Sequence, residues 1–245
     1  MIRAVSFDLW GTVIEHGDRQ ASRAWRLREF DTVLAGLGHR RPVEQIEHAI
    51  DRVYADAIER QRHGGQVSPQ DQVAAVCARL GLPEDAGLQQ VLTVVHTHAV
   101  LRACPQVRPG MRAALTSVRE RALPVVLISN TLATSGQVTR VLLDYLDLAG
   151  LFDEIFLSGE LGCAKPALEI FHTAVRHLDV PPQDLAHVGD DWGSDVLGAR
   201  EAGLRAVWFK PTDQPAAPGT PWTDEPARIP ELLYTLHAPD TGKVG

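Results

Sequence analysis

Cysteine is scarce in this sequence and falls into no pattern. Its three copies, Cys77, Cys104 and Cys163, make no C-x-x-C pair and are odd in number. That argues against a disulfide framework and against a structural zinc site. Lysine is just as rare: Lys165, Lys210 and Lys243 are the only ones, so residues 15–104 contain none. No excess of positive charge exists to attract a nucleic acid, because the formal net charge is -7 and the pI about 5.8. Arginines do gather locally, around Arg19–Arg28 and at Arg40–Arg41. Long apolar runs are missing too, and none approaches the roughly 18 residues of a membrane span. The opening stretch MIRAVSFDLWGTV carries an acid and is too short in apolar length for a secretory leader. The expected compartment is therefore the cytoplasm, with neither membrane nor nucleic acid as a partner. No internal repeat is present.

What the chain does have is an ordinary globular composition, 44% apolar and 22% charged over 245 residues, enough to bury a sizeable core. Residues 2–8 (IRAVSFD) read as a buried strand ending at an acid. Similar runs recur at Pro124–Ser129, Glu154–Leu157, Leu185–Val188 and Arg205–Phe209. Helical spacing fills the gaps, as in Val138, Val141, Leu142, Tyr145 and Leu146, and in Ala167, Ile170, Phe171, Ala174 and Leu178. Alternating strand and helix predicts an α/β fold, a Rossmann-like parallel sheet with helices on both faces.

Between about Glu15 and Cys104 no strand is convincing. Trp25, Phe30, Val33, Leu34 and Leu37 mark one amphipathic helix, and Ile46, Ile50, Val53, Ala57 and Ile58 a second. Ser68, Pro69 and Asp71 spell a helix start, followed by Val73, Val76 and Leu80 at helical spacing. Leu88, Leu92, Val95 and Ala99 mark a fourth helix. The expected organisation is an α/β core of residues 1–14 and 105–245, interrupted by an all-helical cap at 15–104. A Pro-rich loop after Phe209, a short helix near Ile229–Leu236 and a mobile end at Ala238–Gly245 complete the expectation.

In open parallel sheets, ligands sit beyond the carboxyl ends of the strands. The residues there are Asp8, Ser129 with Asn130, Lys165 and Asp190 with Asp191. Each has an ordinary explanation. Asp8 could cap a turn, Lys165 could be a surface residue, and the acids could form a solvated helix start. Together those explanations require a coincidence at every strand end. The runs FDLWGTVI, LISNT, AKP and HVGDDWGSDVLGA, in that order, resemble the four motifs of the haloacid dehalogenase superfamily, in its subfamily with a helical cap after the first motif. The resemblance spans most of the chain. It implies a hydrolase in which Asp8 is the covalent nucleophile. It further implies a Mg²⁺ ion held by Asp8, the backbone carbonyl of Trp10, Asp190 and Asp195. Lys165 would neutralise charge on the transferring group and Ser129 would bond one of its oxygens. Gly11, Thr12 and Asn130 would contact the substrate, a small phosphorylated molecule. The protein would act as a monomer or homodimer.

Trp10 departs from the pattern. Phosphatases of the superfamily carry a second acid there, which protonates the leaving group, and tryptophan cannot do so. The dehalogenases carry an aromatic residue at that position and need no metal, yet Asp190, Asp191 and Asp195 favour one. Phosphonate hydrolases of the superfamily use a cap lysine, and this cap has none. A non-catalytic binder of a phosphorylated ligand or partner is the remaining alternative. Glu15 or His16 could replace the missing acid, although both read more simply as solvated linker residues. An acyl phosphate, with its weakly basic leaving group, would need no replacement. His63, His96 and His98 read as surface or core-edge residues, since positions two apart do not share a helix face. Trp25, Trp192 and Trp208 read as packing residues. Arg19, Arg23, Arg26 and Arg28 could meet an anionic substrate or form a solvated helix face.

Overall fold

The computed structural model describes residues 1–210, 215 and 218–236. The expected mobile end at Ala238–Gly245 and parts of the Pro-rich loop lie outside the described residues. Strand β1 (Ala4–Phe7) is central and parallel on both sides, with Phe7 opposite Leu127 of β4 (Val125–Ser129) and opposite Val188 of β6 (Leu185–Gly189). Outward from β4 lies β5 (Glu154–Leu157), and outward from β6 lie β7 (Arg205–Phe209) and β8 (Trp222–Thr223). All pairs in this sheet are parallel. Every residue of β1, β4 and β6 is buried, which is why these strands read as continuous apolar runs rather than alternating ones.

Side-chain alternation divides the core between the two faces. Val5, Phe7, Leu127 and Val188 pack with Met111 and Leu115 of α5 (Met111–Arg119), Leu142 of α6 (Gly136–Tyr145) and Ile229 of α10 (Ile229–Thr235). Ala4, Val126, Ile128 and Leu185 pack with Ile170 and Phe171 of α8 (Leu168–Leu178) and Ala199 of α9 (Gly198–Glu201). A further short helix, α7 (Ser158–Leu161), follows β5. The strand order runs outward from β1 in both directions. The crevice beyond its carboxyl end is therefore the place for a ligand.

The segment between β1 and α5 supplies α1 (Arg19–Gly36), α2 (Val43–Arg62), α3 (Pro69–Arg79) and α4 (Ala86–His98). These four helices have their own buried cluster, which includes Phe30, Leu34, Ile46, Val53, Val73 and Leu92. Ser68 caps α3 as its sequence predicts, accepting the Asp71 amide at 3.0 Å. Where the chain leaves and re-enters the core, β2 (Ile14–Glu15) and β3 (Gln106–Val107) lie side by side as an antiparallel ribbon.

Three helix faces differ from their periodicity. In α6 the buried set is Val138, Thr139, Leu142 and Leu143, while Val141 and Tyr145 are exposed. In α1 the buried stripe takes Ser22 and Arg26, and Leu37 falls at the exposed end. In α4 His96 is buried rather than at the edge, its Nε2 donating to Gln72 Oε1 at 3.0 Å.

Candidate active site

Four chain segments converge at the carboxyl end of the sheet. Asp8 follows β1 directly, and its amide is fixed by the Val188 carbonyl at 2.9 Å. Lys165 comes from the segment before α8 and is buried, with Nζ at 2.7 Å from Asp8 Oδ1 and 2.6 Å from Asp195 Oδ1. The same ammonium donates to the Ile128 carbonyl of β4 at 2.8 Å. Asn130 grips Lys165 from both sides of its backbone: Oδ1 accepts the Lys165 amide at 2.8 Å, and Nδ2 donates to the Lys165 carbonyl at 2.9 Å. The Asn130 amide thus orients Lys165 in this structure. Ser129 is buried, and its hydroxyl makes a long 3.5 Å contact with the Asn130 carbonyl.

The fourth-motif acids take separate places. Asp190 Oδ1 accepts the Thr12 hydroxyl at 3.1 Å. Thr12 therefore orients Asp190. Asp191 is exposed and caps the π-helical turn Trp192–Leu197, accepting the Ser194 amide at 2.7 Å. Asp195 lies inside that turn. Its Oδ1 receives Lys165 and, at 3.2 Å, His187 Nε2, and its Oδ2 accepts the Asp191 amide at 3.0 Å. Close approach makes glycine necessary twice. A Cβ on Gly11, whose φ is +86°, would meet Asp190 Oδ2 at 2.3 Å, and one on Gly189 would meet the Asp195 carboxyl carbon at 2.3 Å.

Carboxylate oxygens of Asp8, Asp190 and Asp195 lie within 4.8 Å of one another. Burial, with Asp195 and Asp190 alongside, pushes Asp8 up to about 8 despite Lys165. Burial and Asp195 likewise raise Asp190 to about 6. For Asp195 burial acts upward too, but Lys165 and His187 outweigh it and hold the carboxyl well below its usual range. Burial acts to lower Lys165, yet Asp195 and Asp8 hold its ammonium above the usual lysine range. The cluster is thus short of positive charge where Asp8 and Asp190 meet. An all-oxygen donor set with that deficit fits a hard divalent cation.

Residues that the sequence did not single out hold this arrangement. Arg108 donates to the carbonyls of Gly11 at 2.7 Å and Thr12 at 3.2 Å, pinning the loop after Asp8. His187, buried on β6, links Ser6 at 2.9 Å to Asp195. An arginine beside a turn and a histidine inside a strand carry no sequence signal of such roles. Trp208, which the sequence offers as a packing residue, packs edge-on to Trp192 and also donates its indole N–H to the Asp190 carbonyl at 3.0 Å.

The two candidates for a replacement acid are differently placed. His16 is half-buried and stacks on Trp10, with ring centroids 5.4 Å apart, rather than lying in solvent. Burial, with Arg19 and Arg108 nearby, lowers it to about 4. Glu15 is exposed and lies 3.4 Å from Arg108. A cleft of about 440 Å³ opens beside these residues, between α1 and α2 on one side and Asn130 to Thr134 on the other.

The family model for haloacid dehalogenase-like hydrolases matches residues 2–203. A glyceraldehyde 3-phosphate phosphatase of Pyrococcus abyssi is 25% identical over 217 residues, 86% of this chain and 82% of that one. A phosphoserine phosphatase of Thermus thermophilus is 37% identical over 114 residues, so the chain spans only 45% of that relative's length. Among solved structures, a 2-haloacid dehalogenase from Pseudomonas syringae superposes with a TM-score of 0.72 at 23% identity, covering 96% of this chain and 99% of that one. A phosphatase of the same superfamily from Thermococcus onnurineus gives 0.65 at 19% identity, covering 95% and 98%. At such identities these superpositions speak for the fold alone. The match to the family model covers all four motif segments and the insert between them, and the chain belongs to the haloacid dehalogenase-like hydrolases.

Proposed function

We propose that this protein is a magnesium-dependent phosphatase that acts on a small phosphorylated metabolite through an aspartyl-phosphate at Asp8. The carrying observation is the carboxylate cluster, in which the half-buried Asp190 is brought against the buried Asp8 and is short of a cation. Asp8, Asp190 and the Trp10 carbonyl would hold Mg²⁺, with Asp195 adjoining. The ion would offset the repulsion between Asp8 and a phosphate dianion. The names of the relatives from Pyrococcus abyssi and Thermus thermophilus support a small phosphorylated substrate. Residues 15–104 would be the cap that covers it.

In the first step an Asp8 oxygen attacks phosphorus, and the bond to the leaving oxygen breaks with its electron pair on that oxygen. Lys165, 2.7 Å from Asp8, stabilises the charge on the phosphoryl oxygens, and the Ser129 hydroxyl would bond one of them. Water then cleaves the aspartyl-phosphate, releasing phosphate and restoring Asp8. Neither candidate acid is poised to protonate the leaving oxygen: His16 is neutral near pH 7, and Glu15 faces Arg108. The reaction therefore favours leaving groups of low basicity, such as the carboxylate of an acyl phosphate.

The test is a panel of acyl, aryl and alkyl phosphates and 2-haloacids, with and without Mg²⁺, beside Asp8→Asn. Metal-dependent phosphate release, fastest for the least basic leaving group and reduced at least ~10³-fold in the variant, is the expected result. One observation favours a second reading: the aromatic Trp10 suits dehalogenation, whose halide leaves without a proton. Metal-independent halide release would establish it in place of the phosphatase.

A further inference from the structure

The cleft beside Trp10 and Asn130 contains a cation that the proposed phosphoryl chemistry does not use. Arg26 lines it from α1 and is more than nine-tenths buried, at 8% exposure. Its Nε has no hydrogen-bond partner among the described residues. The guanidinium lies over the Tyr54 ring at 5.7 Å, and Tyr54 lines the same cleft. An arginine that makes no bond through a buried N–H is costly to keep. The acid in the cleft does not satisfy it, because Asp51 accepts a forked pair of bonds from Arg23 at 2.6 and 3.2 Å. Arg23 is further engaged by Glu47 at 2.8 Å. Burial also works against the charge of Arg26, so an anion at this place would offset both penalties.

We propose that Arg26 binds a carboxylate on the part of the substrate that is not transferred, so that the protein selects phosphorylated carboxylic acids. The proposal rests on the phosphatase reading for the other end of the molecule. A guanidinium fork matches a carboxylate in two parallel bonds. One desolvated guanidinium suits one negative charge better than a second phosphate dianion. A volume of about 440 Å³ holds a small carbon skeleton between Arg26 and the edge of the catalytic cluster at Trp10 and Asn130. Arg26 is a binding residue, remote from the bond that breaks.

The test is calorimetric titration of the whole protein, in Mg²⁺, with phosphonopropionate and with ethylphosphonate, which lacks the carboxylate. The wild type is expected to bind phosphonopropionate roughly 10- to 100-fold more tightly, the range of a charge-assisted hydrogen bond or two. Arg26→Gln should abolish the difference while leaving ethylphosphonate within about twofold of wild type, as a control for folding. Arg26→Lys should restore part of the preference. Equal affinities in the wild type, or an equal loss for both ligands in Arg26→Gln, would overturn the proposal. Failure of the phosphatase reading looks different, since ethylphosphonate then does not bind. In that case succinate decides: Arg26-dependent binding sustains the carboxylate site, and its absence removes it.

Discussion

Lys165 sets its ammonium between Asp8 and Asp195, and all three side chains are buried. Replacing it with methionine leaves the carboxylates facing one another. Removing one partner of a buried ion pair costs about 3–5 kcal/mol. Lys165→Met should lose that much in denaturant unfolding, together with its turnover. A stability within about 0.5 kcal/mol of wild type would show that the cluster stays protonated and needs no counter-charge. His96 makes a second prediction, on pH. Burial, with Arg26 nearby, lowers it to about 3, so it is neutral in the fold but takes up a proton when unfolded below about 6.5. A depressed histidine contributes its full stability above pH 6.5 and loses it as pH falls towards 3. Thermal unfolding should therefore shift downward between pH 7 and 5. His96→Gln, which keeps a donor for Gln72, should shift less over the same range. Equal slopes would remove His96 from the acid response.

At the scale of elements, the helical insert is fastened to the core by side-chain amides. Gln61 and Gln66 both donate to the Thr131 carbonyl, at 3.0 and 2.9 Å, and Gln72 donates to the Leu132 carbonyl at 2.6 Å. Gln66 Oε1 also accepts the Ser158 hydroxyl at 2.9 Å. These bonds fix the loop after β4, immediately beyond Ser129 and Asn130. Gln72→Leu leaves the Leu132 carbonyl and His96 without their partner, which costs about 1–3 kcal/mol. Amide hydrogen exchange should then accelerate at residues 131–134 while the strands keep their protection. Unchanged exchange there would show that the fastening is not held by Gln72. None of this was legible in the sequence, where a glutamine on an amphipathic helix or in the loop beside it reads as a solvated residue. The strands were legible, because burial on both faces leaves an apolar run that little else produces. The face of α6 was not. Val138, Leu142 and Leu146 are compatible with two neighbouring stripes, and the sheet selected the one with Thr139 and Leu143, leaving Tyr145 outside. Two-residue strands such as β8 are below the reach of any periodicity.

For the whole molecule, strand order decides what can meet. Because β1 lies between β4 and β6, residues 8, 129, 165 and 190 reach one edge although up to 182 positions separate them. Position at a strand end made Asp8 and Asp190 legible, and the ordered motifs made Lys165 so. Arg108 and His187 were hidden, and Arg26 was one of four arginines that the sequence left between an anionic substrate and a solvated face, since their meaning depends on what tertiary packing buries around them. Packing also creates the negative charge excess that a cation relieves. The unfolded chain has no such cluster, so a cation that binds there binds the native state alone and raises its stability by linkage. At a concentration of 100 times its dissociation constant the gain is ~2.7 kcal/mol. For a chain of this size that corresponds to a rise of roughly 5–10 °C in the unfolding midpoint. Mg²⁺ should produce that rise near pH 7.5, and chelation should reverse it. The rise should shrink as pH falls from about 8 through 6, where protons compete first for Asp8 and then for Asp190. Asp190→Asn removes a ligand charge and should abolish the rise, whereas Asp191→Asn, at an exposed helix cap, should preserve it. A midpoint indifferent to Mg²⁺ in the wild type, or equally responsive in Asp190→Asn, would mean that these carboxylates are not a metal site.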